Sequence, residues 1–263
     1  MNPITMTKSA HSARNLTLNI YLKIKAKEVM KKLSIAILTS VWLALFGFST
    51  AQSGGIGIGF TGSYVMIDAS GTESDANDAG TESSDRTAEV DNNAFLGSIY
   101  AEYAADNGFA LGYEYYPGAA DVSEKLQTRT DTETSVSGTA AETSNTRVFS
   151  ANAEVENYSI IYAELPIGPL FVRAGYSQMD VNTTEVKSGN GGSYGNTSID
   201  GTNLGAGFKG VWSDNVRWKI YYEMTNWDDI SLSSTGNSAD SGANSITADL
   251  DTSEVKFALG FQF

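Results

Sequence analysis

The chain has 263 residues, 26 glycines, four prolines and no cysteine, and its formal charge is -14. Without cysteine there is no disulfide scaffold, thiol nucleophile or cysteine-ligated metal, and the single histidine, His11, lies near the N-terminus, so histidine triads and ordinary zinc sites are excluded beyond it. So acidic a chain does not bind nucleic acid through its phosphates; the charge favours cations or plain solubility.

The leader gives the compartment. From Met30 two lysines precede an apolar run, Leu33 to Phe48, and then Ser49-Thr50-Ala51 forms a small-x-small cleavage site before Gln52. Residues 30–51 thus read as a secretory signal peptide cleaved between Ala51 and Gln52, and no cysteine follows that would take a lipid. Residues 1–29 precede a complete n-region, which predicts that translation starts at Met30. The remaining domain, 52–263, keeps ten cations and thirty acids, a charge of -20.

After the leader the apolar period is two. Ile56, Ile58, Phe60, Tyr64 and Met66 share one parity, which makes Gly55 to Asp68 the first strand. Residues 69–92 are Ser, Thr, Gly, Asn and acid and are expected to be a long solvated loop without regular calcium-loop spacing. The second strand, Asn93 to Ala105, has Phe95, Ile99 and Tyr103 on one face, and Asp106-Asn107-Gly108 predicts a tight hairpin. The third, Phe109 to Tyr116, turns Phe109, Leu111, Tyr113 and Tyr115 outward and Gly112 and Glu114 inward. A polar segment, about 123–152, leads to the fourth strand, Ala153 to Leu165. There Tyr158, Ile160 and Tyr162 compete with Ile161, Ala163 and Leu165 for the outer face, and the second set is taken as outward because it keeps Glu156 and Glu164 off lipid.

Pro166-Ile167-Gly168-Pro169 makes the next short turn. The fifth strand carries Leu170, Val172, Ala174 and Tyr176 opposite Arg173, and a loop of roughly 182–199 follows. The sixth sets Leu204, Ala206, Phe208 and Trp212 against Gly205, Gly207 and Lys209, and turns at Ser213-Asp214-Asn215. The seventh alternates most clearly, with Val216, Trp218, Ile220, Tyr222 and Met224 opposite Arg217, Lys219, Tyr221 and Glu223. After a loop of about 233–249, the last strand presents Val255, Phe257, Leu259, Phe261 and Phe263 on one face.

Eight strands joined by alternating long and short connections predict an all-β fold: an eight-stranded antiparallel up-and-down transmembrane β-barrel, with short periplasmic turns, four long extracellular loops and periplasmic termini. A soluble barrel would reverse the faces and surround a ligand. The charges decide against it: Glu102, Glu114, Arg173, Lys209, Arg217, Lys219, Glu223 and Lys256 lie on the mixed face, where a small lumen can pair them. Near the predicted strand ends, Tyr64, Tyr103, Phe109, Tyr115, Tyr176, Trp212, Trp218, Phe261 and Phe263 suit an aromatic girdle at the membrane interfaces. A sheet with one apolar face survives in lipid by closing on itself.

This architecture, with the terminus Phe257-Ala258-Leu259-Gly260-Phe261-Gln262-Phe263, resembles the small bacterial outer-membrane barrels of the OmpA transmembrane domain, OmpX and opacity-protein type. The resemblance implies an outer-membrane location in a Gram-negative cell, with loops at the cell surface. It also implies recognition of Phe263 by the barrel-assembly machinery. The chain departs from the OmpA pattern in that no globular peptidoglycan-binding domain is expected after the barrel, so no cell-wall tether is carried over.

No catalytic, cofactor or metal site is expected. The lumen charges read either as a salt-bridge network filling an interior just wide enough for side chains or as a selective constriction. The function expected is structural or interactive, with membrane lipid outside and a possible extracellular ligand at the loops. The alternative is a narrow porin-like channel for small solutes or ions.

Overall fold

The computed structural model describes residues 54–74, 86–135, 143–187, 193–213, 215–235 and 244–263. The proposed upstream extension, the signal peptide and the Ala51–Gln52 cleavage site lie outside them. The strands are β1 (Gly55–Ser74), β2 (Arg86–Ala104), β3 (Ala110–Tyr115), β4 (Ala120–Asp121), β5 (Gln127–Ser135), β6 (Thr143–Ile167), β7 (Leu170–Lys187), β8 (Thr197–Ser213), β9 (Val216–Trp227), β10 (Ile230–Ser233) and β11 (Ser245–Gln262). All pairings are antiparallel. They run β1-β2-β3-β6-β7-β8-β9-β11, and β11 returns to β1 from Gly57↔Gln262 to Ser74↔Ser245, which closes the ring. Among the described residues the wall therefore has eight staves. β3, β4 and β5 are segments of the third, since each pairs with β6. β9 and β10 share the seventh by pairing with β11.

The outward face carries the apolar parity read in the sequence. Ile56, Ile58, Phe60 and Tyr64 on β1 and Val255, Phe257, Leu259 and Phe261 on β11 are all exposed, with Phe60 at 71% and Phe95 on β2 at 83%. Large apolar side chains so exposed on every side of a closed sheet would be costly in water. The band covers nine residues of β1, Ile56 to Tyr64, which matches the roughly 9–11 residues with which a tilted strand crosses a bilayer.

The short connections lie at the same end as the first and last described residues, Gly54 and Phe263. Gly108 (φ 80) and Gly168 (φ 64) supply the left-handed turn residues, a region costly for residues with a Cβ. Ile167 pairs with Leu170, so the second turn is the two residues Gly168-Pro169, with Pro166 still in the ladder. Gly54 donates its N–H to Asp106, and the Phe263 N–H reaches the Ile56 carbonyl at 2.9 Å.

Two sequence expectations fail for the same reason, that strand parity was read from apolar residues alone. First, the polar stretches are largely wall. The β1–β2 ladder continues without a shift through Ala69↔Val90 to Glu73↔Arg86, β6 starts at Thr143, β7 runs to Lys187 and β11 starts at Ser245. Ser and Thr complete a ladder above the apolar band because nothing there requires an oily exterior. Twenty residues of β1, at about 3.3 Å each and a tilt near 40°, rise roughly 50 Å against an apolar band of about 25 Å. Second, β6 changes face midway. Opposite β7 the register shifts between Glu156 and Ser159, at Asn157 with φ 54. This bulge adds one residue. Glu164 points into the barrel as expected, but Glu156 lies beyond the bulge on the outer side, where it accepts a bond from Asn182 Nδ2 at 2.6 Å.

Candidate functional site

The interior is filled in two layers. Toward the long-loop end it is apolar: Val65, Ile67, Tyr116, Tyr158, Ile160, Met179, Val181, Ile199, Trp227 and Leu250 form one buried cluster. Tyr116 and Tyr158 stack at 4.4 Å, and Trp227 meets Tyr158 edge-on at 5.3 Å. This cap has no counterpart in the sequence reading, which assigned the lumen to charges and glycines. Its signal was the inward parity of Val65, Ile67, Met179 and Val181, residues placed beyond or opposite the apolar runs.

Below the cap lies the charged layer, built by inward positions of seven staves. Arg173 on β7 is its centre. Its Nη2 meets Glu114 Oε2 on β3 at 2.5 Å, its Nε meets Glu223 Oε2 on β9 at 2.7 Å, and its Nη1 donates to Tyr221 Oη at 3.0 Å. The guanidinium carbon lies 3.6 Å from the Tyr162 ring centre, a cation-π contact. Lys256 on β11 bonds Glu223 at 2.6 Å and lies 3.4 Å from Glu254 and 3.7 Å from Glu114. Glu254 also accepts the hydroxyls of Tyr116 and Tyr158, each at 3.1 Å, which joins the charged layer to the cap.

A second group sits nearer the short turns. Lys219 bridges Glu102 at 2.5 Å and Glu164 at 2.8 Å, and Lys209 lies 3.7 Å from Glu164 while donating to the Gly108 carbonyl at 3.1 Å. Tyr162 links the two groups, since it donates to Glu102 at 3.0 Å while its face covers Arg173. The inward glycines make room for these rings: a Cβ at Gly112 would collide with Tyr162, and one at Gly260 with Tyr100.

Of the eight lumen charges named from sequence, seven are drawn together in these ion pairs. Arg217 is half-buried at the short-turn end and takes no part in them. Glu164 and Glu254 join as further members. Glu164 had been turned inward by parity without a role, whereas Glu254 gave no signal beyond its alternation with Val255. Among the girdle residues, Tyr64, Tyr103, Tyr176, Phe261 and Phe263 are exposed on the outer wall, as is Trp212 at 73%; Tyr115 and Trp218 are half-buried. Phe109 is not a girdle residue. It is 2% exposed, because it precedes the β3 ladder and is held in the turn by the Ala105 N–H on its carbonyl at 2.7 Å and by Asn107 Oδ1 on its own N–H at 3.0 Å.

Glu114, Glu164, Glu223, Glu254 and Lys256 have no surface that water can touch. Such a layer is a plug. Unpaired buried charges would be costly, and here nearly every carboxylate has a cation or hydroxyl beside it. Among the described residues no group of three or more acidic side chains is arranged to hold a metal ion.

No protein-family model matches the chain, and no curated protein matches it. Solved structures that overlap it include the outer membrane protein OprG from Pseudomonas aeruginosa, at 12% identity and a TM-score of 0.43, over 80% of this chain and 96% of that one. The attachment invasion locus protein Ail of Yersinia pestis, solved with the heparin analogue sucrose octasulfate, overlaps at 13% identity and a TM-score of 0.34, over 77% and 99%. The outer membrane protein AlkL in lipid bilayers overlaps at 10% identity and 0.39, over 83% and 96%. At such scores nothing transfers from those proteins. The closed ladder and outward apolar band of this chain carry the assignment of an eight-stranded antiparallel β-barrel with a lipid-suited outer face.

Proposed function

We propose that the protein is a non-catalytic barrel of the bacterial outer membrane whose task is performed above the membrane, by the acidic wall and loops it holds at the cell surface. In this reading the apolar band contacts outer-membrane lipid, Phe263 on the closing strand engages the assembly machinery, and the short turns and termini face the periplasm. The observation that carries it is the plug: the lumen is crossed by charged side chains inaccessible to water and capped by packed aromatics, while the wall continues well past the apolar band. A channel needs a wetted path, and a layer of paired charges buried from water supports a closed lumen.

The test is conductance of the refolded protein in a planar bilayer, with insertion verified by a mobility shift between unboiled and boiled samples on a gel. A silent bilayer with inserted protein is the expected result. Discrete, ion-selective steps would replace this reading with that of a narrow channel.

A further inference from the structure

We propose that the open edge of β2 above the membrane, Thr87 to Asn93, is a docking strip where an extended, basic polypeptide segment adds itself as a strand. The inference rests on the surface-interaction reading and names its site and the chemistry of its partner. β2 pairs with β1 along its whole length, but with β3 from Ile99 to Ala104 alone among the described residues. Above that point the third stave turns its ladder to β6, with Ala120↔Val155 and Gln127↔Ala151, and shares none with β2. A seam therefore opens in the wall. Side-chain bonds span it at its foot, from Ser98 Oγ to Glu114 at 2.6 Å and from Asn92 Nδ2 to the Asp121 carbonyl at 2.9 Å.

The residues whose backbone faces this seam can be identified. In an antiparallel strand the N–H and C=O of one residue point to the same side, and alternate residues face alternate neighbours. Ala105 bonds Phe109 across the β2–β3 turn, and the Asn93 N–H is taken by the Asn92 side chain at 2.7 Å instead of by β1. Odd-numbered residues thus face the seam, and Thr87, Glu89 and Asp91 present donors and acceptors there. Natural edges of this length are blunted by charged side chains, lysine above all, by proline or by a bulge, and here the charges are the acids Glu89 and Asp91, which repel acidic strands but not a basic one. From Thr87 to Ser98 there is no lysine and no proline, and the β1–β2 register has no shift. The strip is about 23 Å long, enough for a seven-residue strand bound by β-augmentation.

Charge selects the occupant. Asp68 stands directly opposite both Asp91 and Asp251, so three carboxylates follow one another across β2, β1 and β11. Like charges in opposed positions destabilise a sheet, and a cationic strand would relieve them. A second copy of this chain brings the same acids, and the domain after the leader carries -20.

The probe is a fluorescein-labelled eight-residue peptide of alternating lysine and valine, titrated onto the full barrel in lipid nanodiscs and read by polarisation. An alternating glutamate-valine peptide and a lysine-valine peptide N-methylated at every second residue are the controls. Saturable binding is expected for the basic peptide, with at least tenfold weaker binding for both controls. Glu89→Pro, which removes a donor on the open side and leaves the β1 side intact, should weaken binding at least tenfold, while Glu89→Gln should cost less than threefold. The amides of Thr87, Glu89 and Asp91 should exchange more slowly with peptide bound. Equal binding of the N-methylated peptide, or of Glu89→Pro, would leave simple charge attraction and overturn the strip. Concentration-dependent self-association abolished by Glu89→Pro would make the occupant a second copy and overturn the partner proposed here. No peptide binding by a silent barrel sinks the strip alone, whereas conductance steps sink the surface reading beneath it.

Discussion

At Asn157 the backbone turns to φ 54 and β6 gains one residue on β7, so the residues on either side face opposite ways. Tyr158 enters the barrel to bond Glu254, and Glu156 leaves it. The asparagine is held there from both sides: Tyr115 Oη donates to its Oδ1 at 3.3 Å, and its Nδ2 donates to Asp180 Oδ2 at 2.9 Å. Asparagine tolerates the left-handed region, whereas a β-branched residue does not. Asn157→Val should therefore cost about 1–3 kcal/mol in urea unfolding, and Asn157→Gly much less. Asp180, on the outer wall above the apolar band, also accepts Ser198 Oγ at 2.5 Å, and the bonds from Ser198 and Asn157 hold its carboxyl below the usual aspartate range. With its folded value lowered, its contribution is present above the unfolded pKa and fades as pH falls through the folded one. Ser198→Ala should move the Asp180 titration, followed by carboxyl NMR shifts, back toward an ordinary aspartate. From Tyr158 to Leu165 both parities are apolar in the sequence, because Tyr158, Ile160 and Tyr162 fill the interior while Ile161 faces out. The bulge itself, one added residue at Asn157, leaves no mark in that pattern.

The strands show where periodicity stops informing. Inside the apolar band an outward residue must suit lipid, so the alternation of Ile56, Ile58 and Phe60 or of Phe257, Leu259 and Phe261 identified each stave and its facing from sequence. Above the band the outer face meets water, and Thr72↔Thr87 or Ser70↔Glu89 pair in the ladder without any apolar mark. Stretches such as 69–74 and 86–92 then look like solvated loop while their backbone is paired. Hydrogen exchange separates the two: the β1-bonded amides of these stretches should exchange many times more slowly than those of an unstructured peptide of the same sequence. Rates equal to the peptide's would return them to loop. The inward side of the same stretches retains a trace of their state, since Ile67 and Ala69 continue the buried parity of Val65 into the cap.

For the molecule as a whole, the lumen charges were legible because carboxylates and cations on the non-lipid parity of a narrow barrel must meet. Their pairing pattern was not, since it depends on the shear that brings Arg173, Glu114 and Glu223 to one level. That arrangement makes the plug cooperative: Arg173 is shared by two carboxylates and two tyrosine rings, so its loss leaves Glu114 and Glu223 with Lys256 as their one cation among the described residues, and Glu114 with the Ser98 hydroxyl besides. Arg173→Met keeps most of the side-chain volume while removing the charge. Removing one partner of a buried ion pair typically costs about 3–5 kcal/mol, which should appear as a lower urea midpoint in detergent micelles. Adding Glu114→Gln to that variant removes one orphaned carboxylate and should restore part of the loss. If the single variant unfolds with the wild type, the ion pairs are not what fills and holds the interior. If the double variant keeps its fold and stays silent in the bilayer, the closure lies in the aromatic cap, with Tyr116, Tyr158 and Trp227. A folded double variant that conducts where the wild type does not would show that the Arg173 pairs themselves are the seal.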